Sequence, residues 1–98
     1  MSDSYVGAQD EQQEQDRLIQ SFAQLVEEDE PESPEAYELV KRWQAHIARY
    51  HDGCDDEKLR RMGTLYGADD RFAEMLDSYT PGTAHFMGDA ILSYLDQK

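Results

Sequence analysis

The sequence predicts an all-α domain of about five helices. Three observations carry that expectation. Apolar residues recur at three- and four-residue steps in five successive segments. Capping residues, prolines and glycines punctuate the segment ends. No segment alternates apolar and polar residues with β-branched enrichment, and valine and isoleucine together total only six in 98 residues.

Residues 1–9 (MSDSYVGAQ) are short and patternless and read as a disordered tail. A single helical domain is expected over residues 10–98. Its first helix is predicted from about Asp10 to Glu28, with Leu18, Phe22, Leu25 and Val26 as its apolar stripe. The opening DEQQEQD has no apolar face and is expected to fray. The acidic run from Glu27 to Glu32, around Pro31, reads as a solvated connector. The second helix is the clearest. Ser33 suits the N-cap, Pro34 the first helical position and Glu35 the positive helix end. Ala36, Val40, Trp43, Ile47 and Tyr50 then repeat one face over four turns, and Gly53 supplies the stop. The third helix is predicted to start after Asp55 or Asp56, to carry Leu59, Met62, Leu65 and Tyr66, and to end at Gly67. Asp69 caps a short fourth helix bearing Phe72, Met75, Leu76 and Tyr79. A fifth is expected to start at Thr80-Pro81 and to present Phe86, Met87, Ala90, Ile91, Tyr94 and Leu95.

Composition excludes several functions. Acidic residues outnumber basic ones 22 to 9, for a net charge of −13. Nucleic acid needs positive surface, so this chain alone is a poor partner for DNA or RNA. Anionic membranes are disfavoured for the same reason. No stretch approaches the roughly 18 apolar residues of a membrane helix, and the first twenty residues lack a signal-peptide core. A cytoplasmic setting is expected. One cysteine, Cys54, allows no internal disulfide.

Chemistry-bearing motifs are scarce. There is no glycine-rich phosphate loop, nucleophile elbow or HExxH. Cys54 and His51 could approach around a helix end. Asp52, Asp55, Asp56 and Glu57 surround them with negative charge, however, which opposes an activated thiolate. His46, His51, Cys54 and His85 lack metal-ligand spacing, and His46 and His51 lie on different helix faces. The expectation is therefore no metal, no cofactor and no enzyme activity.

Large soft side chains stand out instead: one Trp, six Tyr, three Phe and four Met. Core and pocket share the same helical spacing, but methionines repack and aromatics stack on flat ligands. A groove between the second helix and the third to fifth is expected. Its candidate ligand-binding residues are Trp43, Ile47, Tyr50, His51, Met62, Tyr66, Phe72, Met75 and Phe86, with Cys54 as a thiol contact.

A set of short motifs runs through residues 36–98. Ile47-Ala48-Arg49 leads to His51 and Cys54. Met62-Gly63 and Tyr66 follow, then Asp69-x-Arg71-Phe72. Pro81-Gly82-x-Ala84-x-Phe86 and Asp89-Ala90-Ile91-x-x-Tyr94 close the series. The set resembles the thiostrepton-recognition (TipAS-type) domain, the C-terminal effector domain of bacterial MerR-family transcriptional regulators. The resemblance covers residues 10–98 and is specific as a set. It implies a globin-like helical domain with a ligand cleft and no haem. It implies binding of large aromatic or cyclic-peptide antibiotics such as thiopeptides, with part of the domain loose until ligand orders it. In full-length regulators a DNA-binding domain and a dimerising coiled coil precede it. The chain is then either an effector domain of a longer protein or a stand-alone drug-sequestering protein. In the thiostrepton-binding member a thiol can fix the ligand covalently. That thiol is matched here by Arg61 rather than Cys54, so the resemblance implies reversible binding. It also implies structural roles for Asp69 as a helix cap, Arg71 as partner of a carboxylate and Gly82 at a close packing contact.

The function expected is non-enzymatic binding of bulky apolar or aromatic small molecules. The alternative is an acidic protein–protein interaction module that docks on a basic partner.

Overall fold

The computed structural model describes residues 3–98, with side chains from Asp10 onward. Five helices follow one another: α1 (Asp3–Leu25), α2 (Pro34–Tyr50), α3 (Asp56–Ala68), α4 (Asp70–Asp77) and α5 (Thr83–Asp96). Among the described residues there is no strand, so the class is all-α.

Helix α1 differs from its expected span at both ends. Its backbone is helical from Asp3, and the chain turns after Leu25 rather than after Glu28. Met1 and Ser2 lie outside the described residues. The polar DEQQEQD half is helical because its acids find partners across the fold. Glu11 pairs with His51, Glu14 with His46, and Asp16 accepts from the Tyr79 hydroxyl at 2.7 Å. Apolar anchoring begins only at Leu18 and Ile19.

Helix α2 starts as its sequence dictates. The Ser33 hydroxyl accepts from the Ala36 amide at 3.1 Å, and Pro34 occupies the first turn. At its end the Gly53 amide reaches the Ala48 carbonyl, and both Asp52 (φ 65°) and Gly53 (φ 89°) are left-handed. Asp55 caps α3 through the Lys58 amide at 2.8 Å. The Lys58 ammonium then reaches back to the carbonyls of His51 and Gly53, at 2.9 and 2.8 Å. A cation thus sits on the negative end of α2.

Gly67 does not end α3; the helix continues to Ala68. The stop is Asp69, whose extended backbone (φ −97°, ψ 118°) cannot continue a helix and whose carboxylate accepts from the Arg71 amide at 2.9 Å to start α4. Arg71 pairs with the same carboxylate at 3.4 Å.

Nor does Thr80-Pro81 start α5. The Thr80 hydroxyl donates to the Tyr79 carbonyl, and the Thr80 carbonyl accepts from the Thr83 amide and hydroxyl in a turn ahead of the helix. Gly82, at φ 95°, occupies the N-cap instead. Its role is this left-handed turn, because a Cβ there would meet only ordinary contact with Val26. The first turn of α5 borrows a cap from α4: the Ala84 amide donates to the Asp77 carboxylate at 2.9 Å.

Helix α5 is the central element and packs against each of the other four. It buries Ala84, Phe86, Met87, Ala90, Ile91 and Leu95. Gly63 of α3 and Gly88 of α5 bring these two backbones close: a Cβ on Gly88 would lie 2.7 Å from the Gly63 carbonyl oxygen. Ile19, Phe22, Val40, Trp43, Leu59 and Leu76 complete the core, with Phe22 edge-on to Trp43 at 6.5 Å.

Candidate functional site

Trp43 and Ile47 lie one turn apart on α2, and His51, the residue that caps its end, follows four residues on. One face of α3 carries Lys58, Met62 and Tyr66 at four-residue steps. The elbow at Asp69 folds α4 back so that Phe72, Met75 and Leu76 face the same space. Together with Gln15 of α1 these residues line a groove of about 330 Å³. Seven of the nine predicted ligand-binding residues meet there: Trp43, Ile47, His51, Met62, Tyr66, Phe72 and Met75.

Two do not. Phe86 is 4% exposed and belongs to the core, because α5 lies behind the groove rather than along it. Tyr50 follows Ile47 at a helical step but stands at the last residue of α2 and does not line the groove. Its ring packs on His46 at 5.0 Å, with the Arg49 guanidinium 5.8 Å from its centre. Cys54 is half-buried on the connector and does not line the groove. Burial pushes its thiol pKa up, against the opposing pull of Lys58. Arg61, the position matched to the family's thiol, is exposed on α3.

The groove has a buried floor and a partly exposed rim. Trp43, Tyr66 and Leu76 are buried below it. The Trp43 indole N–H donates to the Tyr66 hydroxyl at 3.2 Å, and the two rings meet edge-on at 6.4 Å. Phe72 continues the aromatic wall at 5.5 Å from Tyr66. Burial pushes the Tyr66 phenol up to about 12, although the bond from Trp43 acts the other way. Met62 and Phe72 are half-buried, and Met75 is 46% exposed at the edge. The His51 ring at the mouth is tied to Glu11 at 2.8 Å.

Three lining residues escaped the sequence reading. Leu76 was placed on an inner face but not in the groove. Lys58 shares the register of Met62 and Tyr66, which was the signal available. Gln15 comes from the polar half of α1, where apolar patterning gives no information.

Two of the three histidines find partners on α1. His46, given no role by the sequence, is 2% exposed, stacked on Trp43 at 5.7 Å and bound to Glu14 through Nδ1. His46 and His51 thus hold different glutamates. Among the described residues no three His, Cys, Asp or Glu side chains converge as a metal site. A wider depression of about 550 Å³ runs between α1 and α2, but Arg17, Arg42 and Arg49 line it and give it a hydrated, charged wall. Among the described residues no helix is long and apolar enough to cross a membrane.

Residues 5–94 match the family model of the TipAS antibiotic-recognition domain. The chain is 36% identical over 83 residues to the HTH-type transcriptional activator TipA of Streptomyces coelicolor and equally to TipA of Streptomyces lividans; the match covers 84% of this chain and 33% of each relative. It is 32% identical over 68 residues to the HTH-type transcriptional activator mta of Bacillus subtilis, covering 69% of this chain and 26% of that protein. The chain therefore spans about a third or less of the length of these curated relatives. No solved structure matches it. With the family model spanning nearly the whole chain, and the motif series on the helices that build the groove, the chain belongs to the TipAS antibiotic-recognition domain family.

Proposed function

We propose that this domain binds bulky apolar or aromatic small molecules reversibly in the groove between α2, α3 and α4. It acts in the cytoplasm as the ligand-sensing part of a transcriptional regulator and catalyses no reaction. The observation that carries this reading is the groove itself: an aromatic floor with methionines at its side and edge, in a chain whose surface is otherwise strongly acidic. Flat or cyclic antibiotics of the thiopeptide and polyaromatic kinds suit such walls. Each 100 Å² of apolar surface removed from water contributes about 2.5 kcal/mol before the costs of association and ordering. The exposed rim lets a ligand larger than 330 Å³ extend beyond the floor. The position of Cys54 outside the groove supports reversible binding.

The test is an amide NMR titration with a panel of thiopeptides and polyaromatic antibiotics. Shifts clustered at Trp43, Ile47, Met62, Tyr66, Phe72 and Met75 are expected. A well-ordered spectrum that no compound perturbs would remove the ligand-binding reading and return weight to the acidic docking surface.

A further inference from the structure

The direction of one hydrogen bond at the groove floor is fixed by chemistry. An indole nitrogen donates and cannot accept. In the contact between Trp43 and Tyr66 the phenol oxygen is therefore the acceptor. The Tyr66 proton is left over, and among the described residues no side chain or carbonyl accepts it. Tyr66 is only 5% exposed, so bulk water reaches it poorly. Buried polar hydrogens of this kind normally find a partner.

The other polar groups of the groove wall are differently placed. The Lys58 ammonium is engaged by the carbonyls of His51 and Gly53. The His51 ring is engaged by Glu11. Gln15 lines the groove from α1 and is half-buried rather than buried. The floor otherwise consists of indole, phenyl and aliphatic surface.

We propose that Tyr66 donates its hydroxyl proton to the bound molecule, so that the groove selects flat apolar ligands carrying a carbonyl oxygen or ring nitrogen on the edge that meets the floor. This rests on the groove being the ligand site. The phenol remains protonated until about pH 12, so the donor is present under all working conditions. Because Trp43 holds the phenol oxygen, the donor direction is set before the ligand arrives. A ligand lacking an acceptor on that edge would seal the proton away from water with nothing to bond, and that penalty gives the discrimination.

Quinoline and naphthalene test this, since they share a shape and differ by one ring nitrogen. Both are titrated into the wild-type chain and into Tyr66→Phe by NMR, at mildly alkaline pH where quinoline is neutral. The quantity read is the change in the ratio of the two affinities between the two proteins, in which the different hydrophobicity of the probes cancels. Tyr66→Phe is expected to lower the quinoline-to-naphthalene ratio by about 3- to 10-fold, the range of one net hydrogen bond. An unchanged ratio in a variant that retains its amide spectrum overturns the inference while leaving the groove standing. Absence of groove shifts with either probe in the wild type overturns both. A measurement without mutation covers loss of folding in the variant: with tyrosines labelled at the ring carbon bearing oxygen, the Tyr66 signal is expected to move with quinoline well beyond its movement with naphthalene. Equal movement with the two probes overturns the inference.

Discussion

Gly63 and Gly88 face each other where α3 crosses α5, so closely that a Cβ on Gly88 would sit 2.7 Å from the Gly63 carbonyl oxygen. The obstacle is backbone, which cannot rotate aside. Gly88→Ala is therefore expected to destabilise the fold by about 1–3 kcal/mol, despite alanine's better helix propensity. For a domain of this size each kcal/mol corresponds to roughly 4–8 °C in Tm. Thermal unfolding followed by circular dichroism measures it, and an unchanged or raised Tm would contradict this crossing geometry.

Asp77 ends α4 and caps α5, its carboxylate accepting from the Ala84 amide at 2.9 Å. Asp77→Ala is expected to cost about 0.5–2 kcal/mol, as the loss of a helix cap does. Asp77→Asn retains the acceptor and is expected to recover most of it. Urea unfolding of the three proteins gives the comparison, and equal loss in both variants would show that the charge matters rather than the cap.

Alkaline pH has a defined effect. Burial raises the Tyr66 phenol from a usual value near 10 to about 12. The bond to Asp16 raises that of Tyr79 as well. Between those values the native state holds a proton that the unfolded state has lost, so stability falls as pH rises. The contribution is fully present below pH 10 and is lost through about pH 12. Two units at Tyr66 correspond to about 2–3 kcal/mol. Urea midpoints across this range are expected to fall steeply in the wild type and less steeply in Tyr66→Phe. Parallel curves would place the titration elsewhere.

Met75 separates binding from folding. It is 46% exposed at the groove edge, so Met75→Ala is expected to leave stability within about 0.5 kcal/mol of wild type. Loss of its contact with an apolar ligand of about 40 Å² corresponds to about 1 kcal/mol, or roughly fivefold in affinity. The titration used to locate the groove measures this. A variant that binds every compound as the wild type does would exclude Met75 from the site.

Much of this architecture is legible because helix ends are written locally. Ser33-Pro34, Asp55 and Asp69 act through amides two or three residues away, so short motifs suffice to place them. The groove is legible in part for a related reason: Trp43 and Ile47 share a face by spacing alone, although the same spacing also put Tyr50 there. What spacing does not carry is which side of a buried helix meets another helix and which meets a cleft. Phe86 and Tyr66 have the same pattern, and only the position of α5 behind the groove separates them. Partnerships across long sequence distances were equally silent. The polar half of α1 looked unsupported because Glu11, Glu14 and Asp16 find His51, His46 and Tyr79 from 32 to 63 residues away. Gly67 and Gly82 show the limit of composition: one is accommodated within a helix and the other, at φ 95°, is required to turn the chain.

Asp69 stands alone between α3 and α4. Its amide closes the last turn of one helix on Leu65, while its carbonyl and carboxylate open the next. A single residue bonded in both directions leaves no slack, so the two helices form one bracket. The bracket carries Lys58, Met62, Tyr66, Phe72, Met75 and Leu76, six of the ten residues that line the groove. On the proposed function, ligands of different girth are then not accommodated by splaying its arms. Adjustment falls to the side-chain torsions of Met62 and Met75, and to the opposite jaw formed by α1 and α2, where polar bonds rather than a shared core hold the upstream turns of α1 in place.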